Sequence, residues 1–231
     1  MFLPGFQDLK EGIVMKINKK MFILSIFLIF LPIVYGLLHW HELPDLIPTH
    51  WGLNGTPDGY SSKEFAVFGL PALLALIHTL CCFGPQLDPK SKNYSDKLFS
   101  VVFWTCPVIS IFCNFLVYAY TMGKDIDTPQ LTCALCGVAF VIIGNYMPKV
   151  KQNYTMGIKL PWTLESEDNW YKTHKLAGII WVLGGMLLII CAFLEIYTPI
   201  IVIMLLAVLI PTIYSYAIYK ESKNEENSDK E

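Results

Sequence analysis

Apolar residues along this chain gather into six runs of helix length, covering roughly Met21 to Leu38, Phe65 to Phe83, Leu98 to Thr121, Gln130 to Met147, Leu176 to Leu194 and Thr198 to Tyr219. Each is close to the ~20 residues that cross ~30 Å of hydrocarbon, and no Asp, Glu or Lys stands at mid-span. In lipid every backbone N–H and C=O must be satisfied inside its own segment, so runs of this kind predict helices. The alternating ~10-residue strands of a transmembrane barrel are absent from the sequence. The expected fold is therefore all-α and integral to the membrane, a six-helix bundle over 21–219. A composition 54% hydrophobic agrees, being too apolar for an ordinary soluble domain.

Charge orients the bundle. All 17 basic residues are lysine, and alternate loops divide them unevenly. One side takes Lys10, Lys16, Lys19, Lys20, Lys90, Lys92, Lys97, Lys149, Lys151, Lys159, Lys172, Lys175, Lys220, Lys223 and Lys230; the other takes only Lys63 and Lys124. Cationic loops stay cytoplasmic. Both termini (1–20 and 220–231) and the loop at 148–175 are thus expected inside, and the loop at 39–64 outside. No basic stripe is left over for nucleic acid. The charged end, ESKNEENSDKE, has no apolar anchor and reads as a disordered tail.

Two features concern the beginning of the chain. Lysines precede the first apolar run as in a secretory signal, but no small-residue cleavage site follows, so it reads as an uncleaved anchor. Lys10-Glu11-Gly12 is what a purine-rich ribosome-binding site would encode, and Met15 lies just downstream. Residues 1–14 are accordingly expected to be untranslated leader.

Polar chemistry concentrates in the two longest loops. In the outward loop Pro44, Pro48 and Pro57 fix φ, while Asn54-Gly55 and Asp58-Gly59 favour turns, which predicts a compact, rigid connector. His39, His41 and His50 share that loop with Glu42, Asp45 and Asp58, a weak candidate set for zinc whose spacing matches no established helical metal motif. In the inward loop Thr163 or Ser166 can cap a helix carrying Glu165, Glu167 and Asp168 in its first turn. Trp170, His174 and Trp181 recur at helical spacing, so that helix should run straight into the fifth span.

Within the spans, seven cysteines read as small buried hydrophobes, including the Cys133-x-x-Cys136 pair. His78 is costly in lipid and is most simply explained by a hydrogen bond to a neighbouring helix. Ser110, Asn114, Thr105, Thr212 and Ser215 can bond across helices, Gly184-Gly185 permits close approach, and Pro71, Pro107 and Pro211 interrupt helical bonding. Such features could line a transport path, though an ion-coupled carrier usually needs a mid-span charge.

The chain resembles the SdpI-type bacterial membrane immunity proteins. The resemblance is carried by Leu43-Pro-Asp-Leu-Ile-Pro-Thr-His50 with Asn54-Gly55-Thr-Pro-Asp58, and by Gly144-Asn145-Tyr-Met-Pro148, Asn153-Tyr-Thr-Met-Gly157-Ile-Lys-Leu-Pro161-Trp162-Thr163-Leu and Trp170 to His174. It implies a multi-pass protein of the bacterial cell membrane that protects its host from a secreted peptide toxin and reports toxin to a cytoplasmic transcriptional regulator, without cofactor, catalysis or direct nucleic-acid contact. The positions it marks for partner binding or gating are Asp45, Pro48, His50, Asn54, Gly55 and Asp58 outside, and Asn153, Gly157, Lys159, Pro161, Trp162, Thr163, Trp170 and His174 inside. The rival classes are a small-molecule or ion transporter or channel, and a metal-dependent membrane hydrolase.

Overall fold

The computed structural model describes residues 17–52 and 54–228. The expected leader at 1–14 lies outside them. Among the described residues six helical segments are long and apolar enough to span a membrane, the second (Phe65–Leu87) and fourth (Thr128–Lys149) counted with their flanking turns. They are α1 (Lys19–Leu38), α2 (Leu70–Phe83), α3 (Asp96–Thr121), α4 (Thr128–Tyr146), α6 (Glu167–Phe193) and α7 (Pro199–Ser228), with a single-turn α5 (Pro161–Glu165) before α6. A π turn at Phe65–Gly69 leads into α2, and a 3₁₀ turn at Gly84–Leu87 extends it.

Polar side chains set the helix starts. Asn18, Ser95, Asp127 and Ser166 each accept a backbone N–H from the first turn of the following helix. Ser166 is one of the two caps expected from sequence, and α6 does continue without a break into the fifth span. At the other end of the chain, α7 remains helical to Ser228, where a disordered tail was expected from Lys220. Extending an existing helix fixes one residue per added hydrogen bond, without the cost of a new nucleus, and Lys223 pairs with Glu226 one turn on.

The helices form two groups. In the first, α1, α2 and α3 pack together, and Ser110 of α3 donates to the carbonyl of Ile29 on α1 at 2.8 Å. In the second, α4 lies against α6 and α6 against α7. The α4–α6 approach depends on glycine: a Cβ at Gly137 would sit 2.7 Å from the Gly185 carbonyl oxygen, and one at Gly144 only 3.0 Å from that of Gly178. Lipid supplies no hydrophobic drive between helices, so such close backbone contact is what brings them together. Cys133 lies in the same seam, its thiol donating to the Leu188 carbonyl at 3.2 Å, in keeping with a packing role.

His78 is fully buried and hydrogen-bonds the Ser25 hydroxyl of α1 at 2.8 Å, the helix-to-helix bond expected of it. Of the other polar residues in the spans, Ser110 and Ser215 bond to other segments, whereas Thr105, Asn114 and Thr212 donate to carbonyls four residues back in their own helices.

The loop at 39–64, called the outward loop for the side expected of it, as 148–175 is called the inward one, contains β structure that its sequence did not announce. Strands β1 (Leu46–Trp51) and β2 (Pro57–Ser62) form an antiparallel hairpin. Asn54-Gly55 makes the turn, with Gly55 at φ 79°, but Asp58-Gly59 lies in β2 and makes none. Gly59 pairs with His50, and a Cβ there would stand 2.9 Å from that of His50. The missing side chain lets the imidazole lie across the strand. Hairpin and inward loop occupy opposite ends of the bundle: the hairpin packs on Tyr120 and Pro129, and the inward loop on the α2–α3 connection and the far half of α7.

Candidate functional site

The inward element begins after α4, with a 3₁₀ turn at Met147–Lys149, and runs to α5. Its path is held by a carboxylate from a different loop. Asp88, just past α2 and buried, accepts through Oδ2 from the Tyr94 hydroxyl at 2.5 Å, the Tyr154 amide at 2.8 Å and the Thr155 hydroxyl at 2.8 Å, and through Oδ1 from the Lys90 amide at 2.8 Å. Burial alone would raise the Asp88 pKa. The donors from Tyr94, Lys90, Thr155 and Tyr154 outweigh it and hold the carboxyl below its ordinary value. Tyr94 is shifted the other way, its phenol kept protonated by burial and by the bond to Asp88.

Asn153 and Gln152 complete this clamp. Asn153 Oδ1 accepts from the amides of Thr155 at 2.9 Å and Met156 at 2.6 Å, while its Nδ2 donates to the Lys151 carbonyl. Gln152, also buried, donates to the carbonyls of Thr163 and Leu164 at 2.9 Å and accepts from Lys90 Nζ. Asn93 Nδ2 reaches the Gln152 carbonyl at 2.6 Å.

The second half of the inward element rests on α6. His174 is fully buried; Nδ1 donates to the Trp170 carbonyl at 2.8 Å, so Nε2 accepts from the Ile158 amide at 3.0 Å. Trp170 stacks on this imidazole with ring centroids 4.1 Å apart and donates to the Val150 carbonyl at 2.7 Å. Gly157 turns the chain over the pair at φ 107°, and a Cβ there would stand 2.4 Å from His174 Nε2. Only glycine suits both the conformation and the space.

Pro161 opens α5, where its fixed φ and missing donor cost nothing. Thr163, fully buried, accepts from the Leu160 amide at 2.9 Å and lies 2.9 Å from the Ile158 carbonyl. Trp162 then bridges to α7: Nε1 donates to Ser215 Oγ at 2.6 Å, and Ser215 donates on to Asn169 Oδ1 at 3.1 Å. Lys159 is exposed and donates to the Thr155 carbonyl at 2.9 Å. Of the marked residues on this side, Trp162, Thr163, Trp170 and His174 are tied by hydrogen bonds to the loop, α6 or α7 and Asn153 to the loop and Tyr94, while Gly157, Lys159 and Pro161 are exposed.

The outward set is looser. His50 Nδ1 lies 2.5 Å from Asp58 Oδ1, with both side chains more than half exposed. As an exposed pair it contributes only ~0–1 kcal/mol to stability, and one face of the imidazole is open to solvent. Asn54 Oδ1 accepts from the Thr56 amide and hydroxyl, which shapes the turn beside it. Pro48 is buried at the hairpin base, and Asp45 is exposed, its carboxylate 3.4 Å from the largely buried Lys63. Lys63 in turn donates to the Trp40 carbonyl and lies over the Trp40 ring. His39 pairs with Glu42, and His41 is exposed. Among the described residues no three His, Cys, Asp or Glu side chains are placed to hold a metal ion, so the outer histidines do not assemble the zinc set considered from sequence.

The residues sequence reasoning passed over are Asp88, Tyr94 and Gln152. Asp88 carried one advance signal, an Asp-Pro step in a short lysine-rich loop, which is an ordinary turn cue; Tyr94 and Gln152 carried none.

Comparison with known proteins falls on these same two regions. The model of the SdpI/YfhL protein family matches residues 149–215, from the clamped loop to the serine that receives Trp162. A domain of unknown function (DUF1648) matches 27–75, which contains the hairpin. The immunity protein SdpI of Bacillus subtilis (strain 168) is 26% identical over 202 residues, covering 86% of this chain and 96% of its own. No solved structure matches.

Proposed function

We propose that this chain, which is similar to the immunity protein SdpI of Bacillus subtilis along 86% of its length, protects the cell that makes it from a secreted toxic peptide. The observation that carries this reading is the similarity to an immunity protein along 86% of the chain, with both structured polar elements inside the matched length. The hairpin faces outward in this reading, and the lysine-rich clamp faces the cytoplasm. The peptide meets the His50–Asp58 face and the adjoining Asn54-Gly55 turn at the membrane surface. The change is carried by the helices to the Trp162–Ser215–Asn169 junction, which alters the cytoplasmic face presented to a regulator. No bond is made or broken in this scheme. The imidazole–carboxylate pair orients a contact, and the scheme calls for no catalysis.

The test is expression of the full chain in a sensitive bacterium, followed by challenge with a panel of secreted peptide toxins. Survival should rise for at least one peptide, and His50→Ala and Trp162→Ala should abolish it at unchanged membrane abundance. Sensitivity to every peptide at normal abundance, or full protection by both variants, would overturn the proposal.

A further inference from the structure

On the side of the bundle where α3 of the first helix group faces α4 of the second, a groove of about 740 Å³ runs between the two helices from their inward ends. From Lys97 to Ile109 its lining follows α3 for about 18 Å of helix rise, slightly more than half of a ~30 Å hydrocarbon core. The groove therefore has the depth of one leaflet. Val108, Val138 and Ile142 line it and are exposed, so it opens sideways onto the acyl chains of the bilayer. In a fluid bilayer such an opening is filled by lipid, and its lining decides which.

That lining holds no carboxylate, and its one charged residue, Lys97, stands at the inward mouth. Lys97 is exposed and, among the described residues, has no hydrogen-bond or ion-pair partner. Ser100, one turn further along α3, lines the groove and is exposed as well. Lys149 stands on the opposite side: its Nζ lies 5.0 Å from the centroid of the Tyr146 ring, and Tyr146 lines the α4 wall. Basic residues between helices at the membrane surface are where anionic headgroups bind. A groove of about 680 Å³ between α1 and α3 at the outward end lacks this bias, because its lining includes Asp125 as well as Lys124 and carries no net charge.

Cationic at the surface and apolar for one leaflet's depth, the α3–α4 groove repeats the layout of a phospholipid. A soluble anion would use the lysines and leave the apolar length uncovered, and a helix from a second copy would need apolar surface through both leaflets. We propose that this groove binds an anionic phospholipid, its phosphate between Lys97 and Lys149 with Ser100 donating to it, and one acyl chain along Val101, Val108 and Ile142. Phosphatidylcholine offers the same phosphate but brings a quaternary ammonium toward two lysines, so it is the weaker occupant. A lipid seated there bridges the two helix groups. The site is independent of the immunity reading and needs only that the helices lie in a bilayer.

The experiment uses the full chain in micelles with equal amounts of dioleoyl phosphatidylglycerol and dioleoyl phosphatidylcholine, the lipids that stay bound being counted by native mass spectrometry. The chain should retain one phosphatidylglycerol in preference to phosphatidylcholine. Lys97→Gln should lower that preference about fivefold, the share of a single interfacial lysine, while Lys97→Arg should keep it and Lys220→Gln on α7 should leave it unchanged. Ala139→Phe, which puts a ring into the groove, should expel both lipids; were that variant not to fold, Lys97→Gln on the exposed surface still decides. Excess glycerol phosphate should not compete. Equal retention of the two lipids, or a preference that survives Lys97→Gln, would overturn the proposal. Displacement by glycerol phosphate would do the same by assigning the mouth to a soluble anion, and a lipid-free dimer that Ala139→Phe dissociates would do so by assigning the groove to a second copy.

Discussion

Gly157→Ala should dislodge the inward element from α6 while leaving the helices in place. At φ 107° the backbone is in a region L residues rarely adopt, and the new methyl would meet His174 Nε2 at 2.4 Å. The backbone penalty is about 1–3 kcal/mol. Relieving the collision means moving the imidazole, which breaks the Ile158 N–H to Nε2 bond and leaves buried groups unpaired at about 1–3 kcal/mol. The sum, about 2–6 kcal/mol, reaches beyond what most single substitutions cost. Hydrogen exchange in nanodiscs reads it directly: the Ile158 amide should lose protection while the amides of α4 and α7 keep theirs. Gly84→Ala is the control, since its φ of −54° is ordinary and nothing lies within 4 Å of the new methyl. An Ile158 amide as protected in Gly157→Ala as in the parent would refute the reasoning.

Other outcomes follow from the same contacts. Asp88 has a folded pKa below its unfolded value, so its contribution is complete above the ordinary carboxyl pKa of ~3.9 and is lost as pH falls through the lower folded value. Proteolysis at Lys151 should therefore stay slow down to mildly acidic pH and accelerate below it, and Asp88→Asn should be cleaved faster than the parent at pH 7. Trp162→Phe and Ser215→Ala each remove one end of a 2.6 Å hydrogen bond, costing about 1 kcal/mol apiece; the double variant should cost measurably less than the sum in thermal unfolding. Ser25→Ala should destabilise by about 1–3 kcal/mol, because it leaves the buried His78 imidazole only the weak thiol contact of Cys82, and Ser25→Ala with His78→Phe should recover much of that loss.

What could be read in advance divides by the range of the interaction. The spans were legible because membrane insertion depends on the local sum of apolar residues, and the start of α6 because Ser166 caps the Asn169 amide three residues on, with the acids that favour a helix start between them. The tail at 220–228 went the other way: its composition signals disorder taken alone, but it continues a helix already nucleated in the bundle. The hairpin was hidden because Asp58-Gly59 carries the same dipeptide signal as a turn, and only pairing with His50 shows it to be strand. Asp88 was invisible for a stronger reason. Its partners Tyr154 and Thr155 lie 66 and 67 residues away, and no local periodicity encodes such a contact. The inward residues from Asn153 to His174 were legible as a group through the resemblance, but their division of labour among clamp, turn and bridge required the structure.

Everything proposed for the two polar elements depends on their facing opposite sides of the membrane, which accessibility of single introduced cysteines in intact cells tests most directly. With the seven native cysteines replaced, Thr56→Cys in the hairpin turn should react with a membrane-impermeant maleimide added outside. Lys159→Cys should react only after permeabilisation. Labelling of position 159 in intact cells, with position 56 protected, would invert the bundle and contradict the account.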